Sequence, residues 1–101
     1  MIRHIVMWKH QDQFTQEEKE EHAKIIKERL EALKEKIPGV ISVRVITDLL
    51  PSSSGHADLI LDSTFESVEA LNNYQVHPEH VKVSAYIGSV VKNRICIDYQ
   101  D

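Results

Sequence analysis

The chain has 101 residues, with 12 Lys and Arg against 16 Asp and Glu for a net charge of −4, a length that fits a single domain over residues 1–101. No block of basic residues offers a nucleic-acid footprint, so no nucleic-acid partner is expected. The longest early apolar run, Ile5 to Trp8, is too short for a membrane span, and the single cysteine, Cys96, fits a reducing, cytoplasmic setting.

Residues 1–9, MIRHIVMWK, have strand composition. Ile2, His4, Val6 and Trp8 fall on one face and Arg3, Ile5, Met7 and Lys9 on the other. A helix follows over residues 15–37. Thr15 and Glu18 have capping-box spacing, and Ala23, Ile26, Leu30, Leu33 and Ile37 step by three and four to make one apolar stripe. Pro38 and Gly39 stop it. Residues 40–50 read as a strand with Ile41, Val43 and Val45 on one face, and PSSSGH after it as a loop. Residues 57–65 give a third strand, in which Leu59 and Leu61 alternate with Asp58, Ile60 and Asp62. SVEALNNY is helical from Ser67, Pro78 interrupts, and a second short helix covers His80 to Tyr86. NRICIDYQ closes the chain as a strand with Ile95, Ile97 and Tyr99 on one face.

The order β-α-β-β-α-β, its second helix broken, is the split βαβ of an α+β, ferredoxin-like fold with a four-stranded, antiparallel-type sheet. Helices on one face leave the other bare, and strand 1 offers apolar side chains to both. A bare apolar face of that size calls for a second copy packed sheet to sheet. A homodimer is therefore expected, resting chiefly on Ile5, Met7, Val43 and Val45.

The densest chemistry lies in NNYQVHPEHVKV, residues 72–83. A histidine is the usual base near neutral pH, and a phenol can protonate or stabilise a developing oxyanion, which makes Tyr74 and His80 an acid/base pair. Six positions across a proline do not force a shared face, and the plainer alternative is a capped turn with His80 in solvent. His77 and His80 offer two imidazoles, short of the three or four ligands of a zinc centre, so no metal is expected and His77 bonds a backbone group of the turn. His4 and Asp58, each near the start of neighbouring strands, form a candidate pair in which the carboxylate fixes the imidazole tautomer. Trp8 reads first as core and Cys96 as a small packing residue.

With IRHIVMWK, KEKIPGVISVRV, TFESVEAL, YQVHPEHV and ICIDY in that order, the whole chain resembles the stress-responsive A/B barrel family, the dimeric α/β barrel (Dabb) proteins. The resemblance implies two protomers joining their sheets into a barrel. It also implies a small-molecule pocket between helices and sheet, here drawn from His4, Val6, Trp8, Asp58 and His77, with no cofactor. A plant branch of the family contains polyketide cyclases that close their substrate by aldol condensation. Tyr74 and His80 match the acid/base pair of those lyases and His4 a neighbouring histidine, whereas Asp58 stands where they carry a histidine. Two other readings stay open. One is a haem- or quinol-oxidising monooxygenase, needing His77, Asn73 and Trp8 in one pocket. The other is a structural stress-stability oligomer with a filled interior.

Overall fold

The computed structural model describes residues 1–101, and its element order is β1 (Ile2–His10), α1 (Gln16–Glu31), β2 (Val40–Ile46), β3 (Leu59–Phe65), α2 (Val68–Val76), α3 (Pro78–Val90) and β4 (Val91–Gln100). The strands form one antiparallel sheet in the order β2-β3-β1-β4, the ferredoxin-like α+β arrangement. The sequence expectation of this fold holds.

Each helix begins where its cap allows. At the start of α1 the Thr15 hydroxyl accepts from the Glu18 N–H and the Glu18 carboxylate accepts from the Thr15 N–H, a reciprocal capping box. The apolar stripe packs Ile26, Leu30, Leu33 and Ile37 into the core. The α-helix itself is shorter than the stripe: it ends at Glu31 and tightens into a 3-10 turn over Ala32–Glu35. Such turns are frequent at helix ends, where i→i+3 bonds satisfy the last carbonyls. Gly39 then turns the chain with φ +85, and its missing Cβ lets α2 approach, since a Cβ there would lie 2.6 Å from that of Ala70. At the free edge of β2, Lys27 donates to the Val45 carbonyl and Glu31 accepts from the Val45 N–H, so α1 covers backbone groups that would otherwise be open to another strand.

The sheet has a covered and an uncovered face. Ile2, His4, Val6 and Trp8 of β1 and Leu59, Leu61, Ser63 and Phe65 of β3 are buried beneath the helices. On β2 a register shift between Val40 and Ser42 leaves Ile41 exposed, so it does not share a face with Val43 and Val45 as its parity suggested. Val45 is buried, and Val43 packs against the core from the covered side. Both belong to the chain's own core, which corrects their assignment to a dimer face. The uncovered face instead carries Ile5, Met7 and Ile60, with Ile95, Ile97 and Tyr99 of β4 each about half exposed.

Candidate functional site

The proline break builds the site. α2 ends at Val76, and His77, extended at φ −65 and ψ 135 as residues before proline tend to be, caps the next helix. Its Nδ1 accepts from the Glu79 N–H at 3.1 Å, while Pro78 fills the first helical position, where no N–H is needed. The restart carries His80 back over the last turn of α2. There its Nδ1 lies 3.1 Å from the Gln75 carbonyl, one of the oxygens that the helix end leaves unpaired. A carbonyl can only accept, so Nδ1 carries the proton and Nε2 keeps its lone pair. The His80 and Tyr74 ring centroids are 4.3 Å apart at 42°. Burial pushes the His80 pKa down, further than the Gln75 bond raises it.

Tyr74 is fully buried, edge-on to Phe65 with ring centroids 4.8 Å apart. Its hydroxyl has no hydrogen-bond partner, and burial pushes its pKa up. The phenol therefore meets His80 through its ring, and the hydrogen bond that fixes His80 comes from the backbone. A buried hydroxyl left unpaired forgoes on the order of 1–3 kcal/mol, which makes it a donor ready for a partner.

His4 completes the floor. It is 3% exposed, and its Nδ1 lies 2.5 Å from an Asp98 carboxylate oxygen. An ionised carboxylate only accepts, so here too Nδ1 carries the proton, and in the neutral ring Nε2 holds the lone pair. The expected partner, Asp58, lies elsewhere. All neighbouring strands are antiparallel, so the start of β3 meets the end of β1: Leu59 faces Trp8, and Asp58 accepts from the His10 N–H at 2.9 Å. His4 faces Ser63 on β3 and Asp98 on β4. The signal that finds Asp98 is the antiparallel register, which brings the end of the last strand to the start of the first.

A cavity of about 190 Å³ lies between α1, α3 and the sheet. Its floor is His4, Val6 and Trp8 of β1 with Leu61; Leu30 comes from α1, and α3 contributes His80, Ser84, Ile87 and Gly88. Val91, Lys92, Asn93 and Arg94 form the remaining side. Four sequence-nominated residues, His4, Val6, Trp8 and His80, thus share one cavity. Tyr74 stands behind His80, while Asp58 and His77 lie outside the lining. Asn73 is exposed and His77 is occupied as a cap, so Trp8, Asn73 and His77 do not meet as the haem or quinol reading requires.

The sequence profile of the Stress Responsive A/B Barrel Domain matches residues 2–101. The chain belongs to that family, Dabb. A dimeric, ferredoxin-like protein of unknown function from Bacteroides fragilis is 30% identical with a TM-score of 0.89, over 99% of this chain and 95% of that one. A Dabb family protein with a ferredoxin-like fold from Mesorhizobium loti is 23% identical, TM-score 0.74, over 99% and 95% of the two chains. The hydroxynitrile lyase of Passiflora edulis shares the fold at 21% identity and a TM-score of 0.79, over 97% and 90%. No protein with a curated description matches.

One group of metal-type donors occurs in this Dabb chain. The ligand atoms of His4, Cys96 and Asp98 lie within 4.8 Å of one another. His4 Nδ1 is engaged by Asp98, however, and burial together with the Asp98 charge raises the Cys96 pKa, which disfavours the thiolate a metal requires. The trio is better described as a histidine–carboxylate pair with a thiol beside it, 3.7 Å from His4 Nδ1.

Proposed function

We propose that this Dabb protein is a homodimer that binds a small organic molecule in the cavity between its helices and sheet. The observation that carries the reading is that two imidazoles, His4 from β1 and His80 from α3, line one cavity, each with Nδ1 engaged. An open cavity lined by oriented polar groups and apolar walls is the form of a ligand site, and it weighs against a purely structural role. At about 190 Å³ it is smaller than the ~300–1,000 Å³ typical of drug-sized ligands, so the ligand is small. The homodimer is supported by the exposed apolar outer face and by structural relatives described as dimeric. Mass spectrometry of the purified, undenatured protein tests both parts. The expected result is a dimer carrying a small organic molecule, which His80→Ala loses; an empty cavity in every preparation counts against the ligand.

A second reading, acid/base catalysis of the lyase type, is favoured by one feature. His80 offers an unprotonated Nε2 at a lowered pKa, and the phenol behind it has no partner. His80 Nε2 would take the substrate's hydroxyl proton as the carbon–carbon bond breaks to leave the carbonyl, and the Tyr74 hydroxyl would supply a proton to the departing carbanion. A fold neighbour named as a hydroxynitrile lyase makes hydroxynitriles, the cyanohydrins, the first substrates to assay. Aldehyde release that both His80→Ala and Tyr74→Phe abolish supports catalysis; release that either variant retains in full removes that residue from it.

A further inference from the structure

We infer that the ligand of this cavity is a small organic anion, an apolar body bearing one carboxylate, whose carboxylate is held by Arg94. The inference rests on the pocket reading above and adds the charge and polarity of the occupant.

The first observation is a bulge. From Met7 to Lys9 the β1 strand advances two residues, while its partner runs from Ile95 to Lys92, three residues, so β4 holds one extra. Asn93 sits in that step with φ 55, the only non-glycine residue with positive φ. A regular strand points successive side chains to opposite faces. Arg94 shares the covered face with Cys96 and Asp98 by that alternation, and after the bulge Lys92 and Asn93 line the same cavity beside it. Bulges re-aim side chains next to functional sites, and asparagine is among the few residues that hold this backbone conformation.

The second observation is charge. The chain as a whole is negative at −4, yet the cavity lining contains Lys92 and Arg94 and no carboxylate. Lys92 is neutralised by Asp12 at 2.7 Å. Arg94 takes part in none of the ion pairs of the chain. Asp98, on the same face of β4, is engaged by His4. A guanidinium that lies beside the Cys96 thiol but has no carboxylate partner is suited to a carboxylate, which it can bind through two parallel N–H bonds. Trp8, Leu30, Ile87 and Val91 supply the apolar wall for the body of the ligand. The volume admits one ring or a short chain and leaves no room for a nucleotide or a coenzyme.

Trp8 is the only tryptophan and lines the cavity, so its emission reports occupancy. Benzoate and phenylacetate are titrated into the wild-type protein beside benzamide and phenylacetamide, which have nearly the same shape without the charge. The expected result is that the acids bind at least about fivefold more tightly than their amides, the scale of one charge-assisted pair. Arg94→Met should bring acid and amide to parity. Asn93→Gly, which holds positive φ without strain, should keep the preference. Far-ultraviolet circular dichroism checks that each variant is folded. Equal binding of acid and amide by the wild type, or an acid preference that survives in Arg94→Met, overturns the anion inference and leaves the pocket reading standing. No response to either class also overturns it. In that case a neutral molecule found bound by mass spectrometry keeps the pocket reading, and none found removes that reading too.

Discussion

The two faces of the sheet use the same strands to different ends. On the covered face, Val6, Leu59, Leu61 and Phe65 are almost wholly buried, and the two polar residues among them are satisfied: His4 by Asp98, and Ser63 by donating to the His4 carbonyl at 2.7 Å. On the outer face Ile95, Ile97 and Tyr99 remain half exposed, while the charges there, Arg3 and Asp62, pair with each other. The first face is complete within one chain, including its cavity. The second has apolar area and no cover. Buried polar residues on one face are what the proposed site is built from, and exposed apolar ones on the other are what the proposed dimer would cover.

The largest effect should come from the turn that docks α2 on the covered face. Gly39→Val forces a β-branched residue into φ +85 and drives its Cβ toward Ala70, for an expected loss of about 2–4 kcal/mol in urea unfolding. An unchanged midpoint would mean that α2 docks otherwise. The contrast between faces is broken or kept by two further variants. Ile26→Ala, at a fully buried position, should cost about 2–3 kcal/mol whatever the protein concentration. Ile97→Asp should leave the protomer folded but weaken the dimer by at least about a hundredfold, roughly 2.7 kcal/mol, in sedimentation equilibrium. An intact dimer in that variant would move the interface off the outer face.

A smaller effect is expected at the first cap, where Thr15→Ala removes one half of the capping box for about 1 kcal/mol. The last prediction concerns pH. Burial lowers the pKa of both His10 and His80 from 6.5 in the folded chain. As pH falls through 6.5, the unfolded chain takes up these protons first, so stability is full above that value and declines below it, levelling once the folded groups titrate. Thermal melts across this range should show the decline, and His80→Gln should make it shallower. A slope unchanged in that variant would assign the effect to other groups.

The fold was legible because local and long-range cues agree. The capping box, the stripe through Ile26 and Leu30 and the alternation at Leu59 and Leu61 all point to the same arrangement. What was not legible depends on pairing between distant strands. Sequence parity cannot say which face the helices cover, so Val43 and Val45 were assigned to the interface when they belong to the core. Nor does it reveal the bulges that expose Ile41 and bring Lys92 and Asn93 beside Arg94 in the lining of the cavity. The partner of His4 was missed because the starts of two neighbouring strands were paired, a match that antiparallel strands do not make, and this favoured Asp58 over Asp98. At His80 the proline break was visible, but the backbone carbonyl that holds the ring was not: Gln75 supplies it through the helix end rather than through its side chain.

The most direct test of the site is nitrogen NMR of the histidine rings in the intact protein, titrated with acid. The structure predicts that His80 is held as the Nδ1–H tautomer with a midpoint below the ordinary 6.5, that His4 shares this tautomer through Asp98, and that both ring signals shift when a cavity ligand is added. A His80 ring that averages its tautomers, titrates at or above 6.5 and ignores every ligand that changes Trp8 emission would contradict it.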